Sequence, residues 1–213
     1  NMLITGIGET LYMSVVSTII GYIIGVPMGI VLTLTRSDGL RPNKIIYKIL
    51  DVIVNIVRSI PFLIGLVLIT PLTKIIVGKS YGSTACIVPL VFAAAPFIAR
   101  LVESSLNEVD AGVIEAAKSM GASNFTIVVK VLLVEAKISL INGATIAFGT
   151  IFGYSAMAGV VGGGGLGDIA IRYGYYRYEA EIMIVSVVLL VVLVQIFQTI
   201  GTTLATKTDR RRV

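Results

Sequence analysis

The sequence predicts an all-α integral membrane protein with about five transmembrane helices, and three observations predict it. Hydrophobic residues make up 56% of the 213 and charged residues only 14%, with a mean hydropathy of +0.95. A soluble domain carries about 25% charged residues to cover its surface, so lipid must cover part of this one. The charges are also clustered, which leaves long uncharged runs between them. Those runs are continuous rather than short and alternating, so they fit helices, which satisfy their own backbone groups in lipid, and not barrel strands.

Four runs carry no charge: Thr10 to Thr35, Ser80 to Ala99, Ile138 to Gly167 and Ile182 to Thr206. Each reaches the roughly 20 apolar residues that a crossing helix needs. The spans are placed at about 10–35, 80–100, 138–160 and 182–206, with the glycine-rich end of the third run left outside the membrane. A fifth span, about 49–73, needs Asp51 and Arg58 near its start and carries Pro61 as a kink. An alternative keeps the residues before Arg58 at the interface, because Ile45, Ile46, Ile49, Val52, Ile53 and Ile56 form an apolar stripe at helical spacing. Residues 1–213 are thus read as a single transmembrane domain. The first run lacks a basic flank and is too long for a cleaved signal peptide.

Basic residues orient the chain through their excess in cytoplasmic connections. With the N-terminus outside and five spans, the inner segments hold Arg36, Arg41, Lys44, Lys48, Arg100, Lys118, Lys130, Lys137, Lys207, Arg210, Arg211 and Arg212. The outer segments hold only Lys74, Lys79, Arg172 and Arg177. The C-terminus is therefore expected inside, with Arg210 to Arg212 as a topology anchor. The sequence pI near 9.4 follows from this topology, and nothing points to a nucleic-acid partner.

Ser17, Gly21, Gly25 and Gly29 recur every four residues in the first span, and Gly149 and Gly153 repeat the spacing in the fourth. Small residues so spaced let helices approach closely, either within the chain or against a second copy. Five helices hardly enclose a solute pathway, so a pathway at a dimer interface is expected.

The longest inner connection, about 106–134, reads as two short helices at the membrane surface. Asp110 can cap the first, Glu115 and Lys118 can pair along it, and Gly121 can end it in the left-handed conformation. Ser123 can cap a second helix toward Leu133. Ala116 and Ala117 offer a flat face to another protein; a plain surface linker is the alternative.

Glu115-Ala116-Ala117, Gly121-Ala122 and Leu132-Leu133 resemble the EAA loop of ABC importer permeases, where Leu-Pro often stands in place of Leu133-Val134. Five further segments, in order along nearly the whole chain, resemble the methionine importer permeases. They are Asn55 to Phe62, Ala94 to Arg100, Gly153 to Met157, and Gly164 to Gly167 with Tyr173 to Tyr175. The resemblance implies that residues 115–117, 121 and 122 couple to a cytoplasmic ATPase. It implies a homodimer in the inner membrane, two ATPase subunits that carry the ATP, and an external, often lipid-anchored, binding protein that delivers methionine. An importer for another amino acid is the nearest alternative. No cofactor is implied on this chain itself.

Other motifs carry less. Gly162, Gly164 and Gly167 match GxGxxG, but the motif follows a span instead of a strand, so a flexible outer connection is expected. Gly78-Lys79-Ser80 lacks the first glycine of a phosphate loop, which would fall at Thr73. With no histidine and no carboxylate pair inside a clear span, an intramembrane enzyme is disfavoured. The lone Cys86 is read as a small core residue. Pathway candidates are Arg58 and Ser59, at the inner end of the second span, and Tyr154, Ser155 and Met157, where the fourth span meets the glycine run. For Arg58 the alternative is an interfacial arginine; for Tyr154, Ser155 and Met157 it is a lipid-facing position or core packing. Tyr173, Tyr175, Tyr176 and Tyr178 form an interfacial belt or receive the binding protein.

Overall fold

The computed structural model describes residues 1–208, and the basic residues Arg210 to Arg212 lie outside the described residues. Helix α1 (Met2–Thr35) begins eight residues before the expected span, so it includes Glu9. Helices α2 (Lys44–Ser59) and α3 (Phe62–Val77) follow, then α4 (Ser83–Asn107). The connection after α4, the one expected on the inner side, holds α5 (Ala111–Ser119) and α6 (124–135), the latter with a π turn at Ile127–Leu132. Helix α7 (Lys137–Ala158), the short α8 (165–175) and α9 (Ala180–Thr208) complete the chain. Among the described residues four helices, α1, α4, α7 with its continuation to Val161, and α9, are long and apolar enough to cross a membrane; the α2–α3 pair brings the number to five if it counts as one span.

That pair overturns the single helix over 49–73. Helices α2 and α3 meet at an angle of 109°. The residue before a proline is pushed out of the helical region by the ring; Ile60 accordingly sits at φ −78°, ψ 120°. Pro61, which has no N–H to donate, precedes the first turn of α3. The expected kink is a corner.

Helix α4 is the most enclosed, with α1 on one side, α2 and α3 on another, and α7 on a third. The small residues of α1 settle on it. A Cβ at Gly25 would lie 2.7 Å from the Ala95 carbonyl oxygen, and one at Gly29 2.6 Å from that of Ala99. Only hydrogen fits there, so this stripe is an intrachain seam and not an interface left free for a second copy. Ala94, Ile98 and Val102 fill the contact, with Met13 and Leu90 among the core residues they join. Helix α9 lies along α7 through Phe148 and Phe197, whose rings are 4.4 Å apart. Most of α9's apolar surface is exposed, as a lipid-facing helix requires.

The glycine run is a tight turn and not a flexible connection. Gly162, Gly164 and Gly165 all take positive φ. The Glu9 carboxylate accepts the Gly165 N–H at 2.7 Å, and Thr10 Oγ1 accepts that of Leu166 at 2.9 Å. These are the first amides of α8, the ones a phosphate would need, so the GxGxxG match is spent on fastening the turn to α1.

Candidate functional site: an exposed apolar face between α4 and α7 and a polar corner at α2

The inner connection is built much as its sequence dictates. Asp110 accepts the Gly112 N–H at 2.7 Å and starts α5. Gly121 ends it at φ 78°, where a side chain is disfavoured. Ser123 then accepts the Thr126 N–H at 3.2 Å to open α6. Helix α6 runs through Leu133-Val134 and breaks at Ala136, near φ −77°, ψ 1°.

The two alanines divide. Ala117 is buried among Ile127, Val128 and Leu132 of α6, so it fixes α5 to its own chain. Ala116 and Glu115 are exposed and Ala122 is half-buried. Beside them stand three exposed apolar side chains that sequence reasoning passed over: Val113, Met120 at 81% exposure and Phe125 at 77%. Their signal was apolar residues within a polar connection. Val113 stands on α5, Met120 just past its end and Phe125 on α6, and exposed large apolar groups are a common feature of interaction surfaces.

The second feature lies where α2 meets the C-terminal half of α4. One guanidinium, that of Arg100, reaches Asp51 through Nη2 at 2.6 Å and Glu103 through Nη1 at 2.6 Å. Nη2 also donates to Asn55 Oδ1 at 2.9 Å, and Tyr47 makes a long contact with Glu103 at 3.4 Å. Glu103 is 4% exposed; a carboxylate so enclosed persists only when paired. Arg58 and Ser59 are exposed at the end of the same helix, and the Ser59 hydroxyl donates to its own Asn55 carbonyl at 2.8 Å.

The remaining candidates separate at the other end of α7. The Tyr154 ring stacks on Phe62 with centroids 4.4 Å apart and planes 2° apart, which joins α7 to the first residue of α3. Ser155 is enclosed: it accepts from Ser14 at 3.1 Å and donates to the Phe152 carbonyl at 2.7 Å. Met157 is 46% exposed, on a stripe that continues through Ile146 and Val160. The structure therefore brings Tyr154 to the α3 corner, turns Met157 outward and puts Ser155 to use in packing. Asp168 pairs with Arg172 at 3.0 Å. Of the tyrosines, Tyr173 lies under Arg177 at 4.6 Å, and Tyr175, Tyr176 and Tyr178 are exposed.

Against this geometry the likeness to known proteins is extensive. The family model for the inner membrane component of binding-protein-dependent transport systems matches residues 25–212. A Vibrio cholerae protein named probable D-methionine transport system permease protein MetI is 51% identical over 211 residues, 99% of this chain and 94% of its own length. The Haemophilus influenzae protein of the same name is 46% identical over 203 residues, 95% of each chain. A solved structure of the MetNI methionine ABC transporter in inward-facing conformations superposes with a TM-score of 0.96 at 49% identity, over 98% of this chain and 97% of that one. An amino acid ABC transporter crystallised with histidines shares the fold at a TM-score of 0.80 and 21% identity. The chain belongs to the family of inner membrane components of binding-protein-dependent transport systems.

Proposed function

We propose that this multi-pass inner-membrane chain is the permease subunit of an ATP-driven importer of methionine, with ATP bound and hydrolysed on a separate ATPase subunit and no cofactor on the permease itself. The observation that carries the reading is agreement over nearly the whole chain, in sequence and in backbone, with permeases named for methionine. The proposal extends to assembly: two copies of this chain, two ATPases on the inner side, and a binding protein, lipid-anchored in many systems, that delivers solute outside.

Helix α5 is the ATPase-docking element. Glu115 and Ala116 face outward with Val113, Met120 and Phe125, while Ala117 and Ala122 hold α5 against α6. A force applied to α5 then passes into α6 and the inner end of α7 as one body. Arg58 and Ser59 at the inner corner, Tyr154 where α7 meets α3, and Met157 on the uncovered face of α7 line the pathway between two copies; Ser155 positions that face by tying it to α1. Met157 is flexible and apolar and suits contact with a thioether. Alternating access follows from rocking these faces against their symmetry mates.

Uptake of labelled methionine into proteoliposomes holding this chain, its ATPase and its binding protein tests the reading. ATP-dependent uptake that unlabelled methionine competes best is the expected result. Better competition by another amino acid would keep the architecture and replace the substrate. An assembled complex with no ATP-dependent uptake would remove the importer reading altogether.

A further inference from the structure

Helix α2 has three faces, and the importer reading uses two of them. Tyr47, Leu50 and Val54 pack with Leu32 and Met28 of α1 and Ala99 of α4. Asp51, Asn55 and Arg58 form the polar edge already described. The third face, Ile45, Ile49, Val52 and Ile56, recurs at helical spacing and is 44–72% exposed. Lys44 and Lys48 run along its border one turn apart, and the two lysines with Ile45, Ile49, Val52 and Ile53 line a shallow, open cavity of about 510 Å³. Neither lysine enters an ion pair among the described residues. Asp51, the nearest carboxylate on the helix, is taken by Arg100.

We propose that this face of α2 binds an anionic phospholipid of the inner leaflet, with the phosphate on Lys44 and Lys48 and an acyl chain along Ile45, Ile49 and Val52. Three features select a lipid over a protein partner. Helix α2 begins beside the C-terminal end of α4, where Tyr47 meets Glu103, and runs along it past Arg100 and Ala99, so Lys44 and Lys48 stand at the end of the bundle. From that lysine end the apolar strip continues through Ile49, Val52 and Ile56 on the uncovered side of the helix, the direction an acyl chain takes from its headgroup. Paired cations beside an apolar strip complement an anionic headgroup attached to a chain. The N-terminal amides of α2 add little, because Asn43 already accepts those of Ile45 and Ile46.

The test uses the purified permease–ATPase complex in nanodiscs of phosphatidylcholine with a minor fraction of phosphatidylglycerol, with retained lipid counted by native mass spectrometry. Phosphatidylglycerol is expected to be retained selectively. The Lys44→Gln/Lys48→Gln variant should lower that selectivity by roughly tenfold, while Lys79→Gln, at the far end of α3, leaves it unchanged. In a Cys86→Ala background, a fluorophore on Ile49→Cys should be quenched by lipids labelled near the headgroup. Equal retention of both lipids, an unchanged double variant, or an equal effect of Lys79→Gln would overturn the site. So would disulfide cross-linking of Ile49→Cys between two copies, which would assign the face to a second permease. The inference rests on membrane residence and not on the solute, so failure of methionine uptake would leave these readouts intact.

Discussion

At Arg100 a single guanidinium serves Asp51 and Asn55 from α2 and Glu103 from its own helix. Removing the cation would leave two carboxylates facing each other in a site where one of them is buried. Breaking a buried pair from one side costs about 3–5 kcal/mol, and the partial exposure of Arg100 and Asp51 places this site at the lower end. Arg100→Met is expected to lower the thermal unfolding midpoint in detergent sharply, and Arg100→Met/Glu103→Gln to recover part of the loss. Gly121 is a residue of the opposite kind, with open space where a Cβ would go, so only its backbone angle matters. Gly121→Val should strain the end of α5 by about 1–2 kcal/mol and reduce ATPase co-purification, while membrane insertion survives. Co-purification and transport both at the native level would deny α5 its docking role. Gly121 was legible in sequence because a helix end is a local event. The role of Arg100 was not, since Asp51 stands 49 residues away and the pairing exists only once α2 folds back across α4.

Helices α1 and α4 make the seam that holds the bundle. Gly25→Leu would drive a side chain into the Ala95 carbonyl and Ile98, both under 3 Å from the added Cβ, so α1 must move away from α4. Expression of folded protein should fall, whereas Gly8→Ala, with nothing within 4 Å, should be silent; fluorescence-detected size exclusion reads both. Likewise, Tyr154→Phe should keep the stack on Phe62, while Tyr154→Ala loses an aromatic pair worth about 1 kcal/mol beyond its area and loosens α3 from α7. If Tyr154→Ala alone abolishes uptake at native stability, the ring serves the pathway and not only the packing. The corner between α2 and α3 was half legible: Pro61 announced a break, and the isoleucine stripe announced an amphipathic segment. A local rule about the residue before proline sets a backbone conformation, but the 109° angle depends on where both helices find α4.

For the whole molecule, the described helices leave several apolar surfaces uncovered, and three of them are most of α9, the Ile146–Met157–Val160 stripe of α7, and the isoleucine face of α2. Lipid, a second copy and a bound phospholipid are the occupants proposed for these three in that order. The orientation that follows from the basic residues has a direct check. In a Cys86→Ala background, Ser80→Cys should react with an impermeant thiol reagent from outside intact cells, and Ser119→Cys only after the inner side is opened. The reverse pattern would invert the topology and detach α5 from any cytoplasmic ATPase. The membrane class, the four long spans, and the caps and breaks of the inner connection were determined by the sequence alone. Lipid solvation demands long uncharged runs, and capping acts over a few neighbouring residues. Tertiary structure decided that the glycine stripe of α1 is a seam inside one chain, that Ala117 faces inward while Met120 and Phe125 face out, and that Glu9 fastens the glycine turn. Each of these depends on which distant backbone comes within a few ångströms, a consequence of packing that no local pattern encodes.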